Sequence, residues 1–134
     1  TRDTDLKNYI SVNPDPFEFR TAILVNKKTA SSSEILVSSL QDHQKAIIIG
    51  TRTFGKGIFE KTFDLKNQMR TKFITGAMYS PKGNSWHGEG LTPDFLVQQN
   101  DKTLEALLKL DPVQRTKKDV AIITALKLLL RSGS

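Results

Sequence analysis

Two short apolar runs, TAILVN at residues 21–26 and AIIIG at 46–50, flank a segment of helical character, SSSEILVSSLQDH at 31–43. That order constrains the fold more than any other feature. Continuous β-branched runs of this length suit strands covered on both faces. Between them, Ile35, Leu36, Ser39, Leu40 and His43 recur on one face at helical spacing. A strand, a helix and a strand with tight joints form a βαβ unit, whose strands pair in parallel through a right-handed crossover. The carboxyl ends of both strands then lie on one edge of the sheet. The segments that follow them, TASSSE (29–34) and TRTFGKG (51–57), become neighbours on strands about 4.8 Å apart.

Beyond this unit, IFEKTFDL, a polar turn near KNQ, and RTKFITGAMYS read as a hairpin. PKGNSWHGEG is a Gly-rich loop, and TPDFLV is a short edge strand, a place that tolerates Pro93. From Asp101 the composition shifts to helix formers. TLEALLKL is expected as one helix ending before Asp111-Pro112, and VAIITALKLLL as a second with basic residues near its C-terminus. The expected architecture is α/β, a βαβ-containing mixed sheet with a C-terminal helical appendage. Its divisions are a lead-in or fragment edge at 1–20, a core at 21–98, and a helical segment at 99–134 packing on that core. A chain of 134 residues is one domain or part of a larger one.

The net charge of +6 comes from scattered basic residues with no aromatic-interleaved stripe, so nucleic acid is not expected as a partner. The absence of cysteine excludes disulfides and thiolate chemistry. No apolar run reaches membrane-spanning length, and TRDTDLKNYI is not a signal peptide; an export signal, if the parent has one, lies upstream. Acidic residues and the two histidines lack metal-ligand spacing, so neither a metal nor a cofactor is expected.

The run AIIIGTRTFGKG meets the G-x-x-x-x-G-K spacing of a phosphate-binding loop after a strand. Gly57 replaces the Ser or Thr that would hold magnesium, and a strand-like segment follows in place of a helix. Nucleotide binding is therefore the weakest reading of Lys56. The serine cluster at the first corner admits two readings. Ser31 with Glu34 fits the S-x-x-E capping box. The same corner also presents a side chain beside free backbone N–H groups able to stabilise an oxyanion. If Ser31 is a nucleophile, Ser32 or Thr29 must cover the helix end.

A nucleophilic serine needs a base. His43 lies roughly 18 Å away along the helix, which is too far. His87, in the WHGEG loop, is not excluded by spacing, and no G-x-S-x-G elbow is present. Lys56 is brought near Ser31 by the topology alone. To act as a base it must shed its proton near pH 7, about 3 units below the reference value for lysine, or about 4 kcal/mol. Burial against Phe54 and the strand ends is expected to favour the neutral amine.

NKKTASSSEILVSSLQDHQKAIIIGTRTFGKG closely resembles the carboxyl-terminal processing (tail-specific) proteases, with their S-A-S-A-S-E, Q-D and T-F-G-K-G segments in that order. YSPKGNSWHGEGLTPDFLV and KKDVAIITALKLL also resemble segments of that family, extending the likeness from about Thr21 to Leu130. The resemblance implies a partial ClpP/crotonase-like catalytic core of a serine endopeptidase. Ser31 falls on the family's nucleophile, Lys56 on its general base, and the Ser32 N–H on an oxyanion donor. It further implies protein or peptide substrates with exposed C-termini and a periplasmic or envelope location, while a sheet missing its upstream neighbours exposes edges that leave scope for self-association. Glu60 stands where the family commonly has a glutamine that orients the lysine. An ionised glutamate there opposes the base role, so Glu60 must be protonated, point away, or weaken the site.

The family's upstream oxyanion segment and PDZ-like module are not in this chain, so the isolated piece is expected to be inactive. A non-catalytic scaffold that keeps the fold is the alternative. Asp42, Trp86 and His87 are expected to be structural, Glu34 to be a cap or helix anchor, and Arg52 to be a surface or partner contact.

Overall fold

The computed structural model describes Ile10, Val12 and residues 18–131. Most of the expected lead-in and the SGS tail therefore lie outside the described residues. Strand β1 (Thr21–Val25), helix α1 (Ser32–Asp42) and strand β2 (Ala46–Gly50) form the βαβ unit, with β1 and β2 parallel and Ile23 opposite Ile48. Strand β5 (Phe95–Leu96) pairs in parallel with the other edge of β2, giving the order β1-β2-β5. Asp94 docks that short strand by accepting from the Ile48 N–H and the Gln41 side chain, both at 2.8 Å.

Val25, Ile48 and Val37 of α1 make a small core on one face of this sheet. Ile49 points to the opposite face by strand alternation and is also fully buried. Helix α4 (Val120–Arg131), which contacts β1 and β2, covers that side. Its start is capped by buried Asp119, which accepts from the Ala121 N–H at 3.0 Å and the Gln99 amide at 2.9 Å. At its end the Arg20 guanidinium donates to the Leu129 carbonyl.

Three expectations are corrected. Strand β1 is not buried on both faces: α4 covers its second face only in part and leaves Leu24 41 % exposed. In α1 the inward residues are Glu34, Val37 and Ser38, while Ile35 and Leu36 are exposed. The helix turns a carboxylate inward because that group has buried donors to satisfy. Between α2 (Asp101–Leu108) and α4 lies a helix that was not foreseen, α3 (Pro112–Lys118). Asp111 starts it by accepting from the Gln114 N–H at 3.0 Å, with Pro112 in the first turn, where its missing N–H costs nothing.

Strands β3 (Ile58–Asp64) and β4 (Arg70–Ala77) form the expected antiparallel hairpin. Phe59 pairs with Gly76 and Glu60 with Ile74, which leaves Thr75 as an unpaired bulge residue in β4. The bulge keeps the hairpin in phase. Phe59, Phe63 and Phe73 share one face, with the Phe63 and Phe73 rings 6.0 Å apart. Glu60, Lys72 and the Asp64–Arg70 ion pair share the other. The Phe59 ring fills the place of a Gly76 side chain, whose Cβ would come within 2.1 Å of it.

Asp42, at the end of α1, accepts from the Lys82 N–H at 2.8 Å and so holds the turn that precedes the WHGEG loop. A hydrogen bond from Ser80, then that from Lys82, keeps its carboxyl below the ordinary value of 3.8. A carboxyl lowered in the folded state stabilises it above the unfolded value, and loses that effect as pH falls through the folded one. Asp42→Asn should therefore flatten the loss of thermal stability between neutral pH and about pH 3. Parallel melting curves for the two proteins across that range would show that Asp42 plays no such part.

Candidate active site

The site is built from three crossing loops at the carboxyl end of β1 and β2. In the first, Asn26 makes a tight turn by accepting from the Thr29 N–H at 2.8 Å and, through its side chain, from the Lys28 N–H at 2.8 Å. The turn delivers Ser31 to the corner with φ 57° and ψ −120°. A residue with a side chain is strained there, by about 1–3 kcal/mol. The Ser31 carbonyl accepts from the Glu34 N–H at 2.9 Å and the Ile35 N–H at 3.1 Å, which starts the helix. The Ser31–Glu34 capping box expected from the sequence is present, its firm half being the Ser31 N–H to Glu34 carboxylate bond at 2.9 Å. Among the described residues the Ser32 N–H has no partner.

Glu34 connects the serine corner to the lysine loop. It is fully buried, and four donors converge on its carboxylate. Oε2 accepts from the Ser31 N–H at 2.9 Å and the Lys56 N–H at 2.8 Å. Oε1 accepts from the Gly55 N–H at 2.7 Å and the Thr53 hydroxyl at 2.5 Å. Because one oxygen serves both Ser31 and Lys56, their backbone nitrogens can be no farther apart than the sum of those two bonds. The Phe54 N–H to Thr29 carbonyl bond, 2.9 Å, fastens the same two loops a second time. The Thr29 hydroxyl accepts from the Asn26 N–H at 3.1 Å, so neither it nor Ser32 caps the helix, and Glu34 takes only the Ser31 N–H there.

The WHGEG loop backs the lysine loop. The Gly88 N–H donates to the Gly55 carbonyl at 2.9 Å, and the Thr53 hydroxyl accepts from the Leu91 N–H at 2.7 Å. The two loops approach so closely that a Cβ on Gly90 would meet the Thr53 carbonyl oxygen at 2.2 Å, and Gly90 has φ 77°. Glycine alone fits both demands. Trp86 is buried, and the His87 ring nitrogen lies 3.3 Å from the Gly55 carbonyl oxygen. Arg52 is exposed, as expected of a surface residue, and its guanidinium donates to the Glu89 carbonyl at 3.3 Å, bracing this loop. His43 caps the far end of α1, away from the serine corner.

The Lys56 side chain is 44 % exposed and Phe54 is 64 % exposed. The expected burial of the amine against Phe54 is thus corrected: the glutamate anchor holds the backbone and Thr53 of this loop inward while the Phe54 and Lys56 side chains face outward. The Lys56 Nζ lies 3.8 Å from Glu60 Oε2, and Lys72 Nζ lies 3.0 Å from the same oxygen. The hydrogen bond and charge of Lys72, with a smaller effect from Lys56, hold the Glu60 carboxyl below its ordinary value of 4.5. Glu60 is therefore ionised at neutral pH and faces Lys56, so it is neither protonated nor turned away.

Two participants escaped the sequence reading. Thr53 carried no signal beyond its place before Phe54. Lys72 could have been found from the hairpin spacing, which sets it opposite Thr62 and diagonal to Glu60.

The signature of peptidase family S41 matches residues 1–97. The carboxy-terminal-processing protease of Bartonella bacilliformis is 43 % identical over 77 residues, covering 58 % of this chain and 18 % of that protein. The chloroplastic carboxyl-terminal-processing peptidase 1 of Arabidopsis thaliana is 34 % identical over 95 residues, 70 % of this chain and 19 % of that one. Among solved structures, the photosystem II D1 C-terminal processing protease aligns with a TM-score of 0.57 at 33 % identity, over 59 % of this chain and 20 % of its own. The chain spans about a fifth of the length of these relatives.

Proposed function

The chain belongs to peptidase family S41, and on that footing we propose that it carries the serine–lysine centre of a serine endopeptidase acting near the carboxyl termini of protein substrates. The observation that supports this most is the single Glu34 oxygen shared by the Ser31 and Lys56 N–H groups. It draws together the two residues that such chemistry requires. In the proposed reaction, Ser31 Oγ attacks the scissile carbonyl carbon and its proton passes to the neutral amine of Lys56. The resulting oxyanion is met by the Ser32 N–H, which points from a helix start and is otherwise unspent. Collapse breaks the C–N bond, and Lys56 returns the proton to the leaving amine. Water, deprotonated by Lys56, then hydrolyses the acyl-serine and restores both residues.

The strained backbone at Ser31 supports the same reading, since such strain gathers at working sites. Many large apolar side chains remain exposed, among them Leu36, Phe59, Phe73 and Ile74. With the greater length of the relatives, this favours action within a longer polypeptide, a ClpP/crotonase-like core completed by segments that also supply a second oxyanion donor. An envelope or periplasmic setting follows from that family reading. No helix among the described residues is long and apolar enough to cross a membrane.

A fluorophosphonate probe applied to the full-length protein tests the proposal. Labelling is expected at Ser31 and should vanish in Lys56→Ala. A folded protein that leaves Ser31 unlabelled would favour the non-catalytic scaffold.

A further inference from the structure

We propose that Lys72 is a positioning residue of this site: its ammonium takes up the charge of Glu60, so that Glu60 orients the Lys56 amine without fixing a proton on it. The inference deepens the serine–lysine reading and rests on it. A carboxylate four residues from the base lysine is at first sight an obstacle, because an unshared anion beside an amine favours the charged ammonium. The hairpin resolves the conflict by geometry. Lys72 pairs with Thr62 and Glu60 with Ile74, so Glu60 and Lys72 are diagonal neighbours on the same face.

Lys72 lies at full hydrogen-bonding distance from Glu60 Oε2, 3.0 Å, whereas Lys56, at 3.8 Å, lies beyond it. The shorter contact wins the carboxylate, and the second ammonium also disfavours a further positive charge on Lys56. The Thr75 bulge lies beyond Ile74, so the rung that sets this diagonal keeps regular register.

Other charged groups around the lysine are already engaged. Glu34, beneath the loop, is committed to four donors. Asp64 and Arg70, on the next rung of the same face, pair with each other at 2.8 Å. His87, packed against Gly55 and Gly57, directs a ring nitrogen to the Gly55 carbonyl. Lys72 and Lys56 are the cations that contact Glu60 among the described residues.

The test is the pH dependence of kcat/KM of the full-length protein on an unfolded substrate such as β-casein. Lys72→Met should move the acid limb upward by about half a pH unit, the size expected of one exposed charge pair, with the high-pH plateau retained. At a pH on that limb this is about a threefold loss. Lys72→Arg should restore the native limb, and Glu60→Gln should move it downward. In the Glu60→Gln background, Lys72→Met should add no comparable shift. An unmoved acid limb in Lys72→Met, or the same shift with and without Glu60, overturns the proposal while leaving the dyad intact. Proteolysis that survives Lys56→Ala overturns both.

Discussion

Ser31→Ala and Lys56→Ala, each introduced singly into the full-length protein, are expected to lower kcat/KM by roughly 10³- to 10⁶-fold. In the proposed mechanism the two residues act as one unit, and the range follows from that. Without the hydroxyl no acyl-enzyme forms, and without the amine the hydroxyl keeps its proton. The losses should therefore not add, and the double variant should be about as slow as either single one. Stability should change little for Lys56→Ala, because its side chain is 44 % exposed and its ion pair with Glu60 is a long one, at 3.8 Å. Substitutions of that kind usually stay within about 0.5 kcal/mol. Initial rates on β-casein together with a urea melt separate the effects. Either single variant retaining near-native proteolysis would reject the dyad outright.

Glu34→Gln should destabilise the fold by about 2–4 kcal/mol, the cost of leaving one or two buried donors without an acceptor. The replacement is nearly isosteric, so the expectation rests on donors and acceptors alone. The carboxylate offers two accepting oxygens to the Ser31, Gly55 and Lys56 N–H groups and the Thr53 hydroxyl. An amide offers one, and its NH₂ end must face at least one backbone N–H. Each buried donor left without an acceptor costs about 1–3 kcal/mol.

Because Ser31 and Lys56 hang from the same oxygen, catalysis should fall further than the folded fraction does, by at least about tenfold, as small displacements of reacting groups do elsewhere. Urea unfolding, with kcat measured where the variant is still folded, checks both parts. A variant as stable as the native protein would mean that the four bonds do not act as the anchor described.

Much of the sheet was legible because its signals are local. TAILV and AIIIG are unbroken apolar runs, and the intervening segment is too short for anything but one helix and two tight joints. The hairpin and the edge strand at Phe95–Leu96 announced themselves by alternation and by Pro93. Helix α3 was missed because PVQRTKK has no apolar stripe, and only the Asp111-Pro112 pair marks it. The inward face of α1 was misjudged for a related reason. Apolar periodicity cannot see that Glu34 and Ser38 turn inward, since the donors that make burial of Glu34 favourable come from residues 53–56, distant in the chain.

For the site, Ser31 and Lys56 could be placed side by side from topology, and Glu60 flagged from its spacing to Lys56. Whether Glu60 was charged, and which cation held it, depended on strand register across a hairpin with a bulge. The expected cover for Lys56 fails because an aromatic residue just after a buried strand end suggests an inward side chain, whereas Phe54 is 64 % exposed. The loop leaves the sheet before that position.

The left-handed backbone at Ser31 bears on how such a chain can drift. Glycine adopts a φ of 57° freely, whereas every side chain resists it. Ser31→Gly would relax the corner by ~1 kcal/mol and remove the hydroxyl in one step. Selection for durability alone thus runs against this serine, and a descendant that kept the architecture with no need of the hydroxyl would be expected to shed it early.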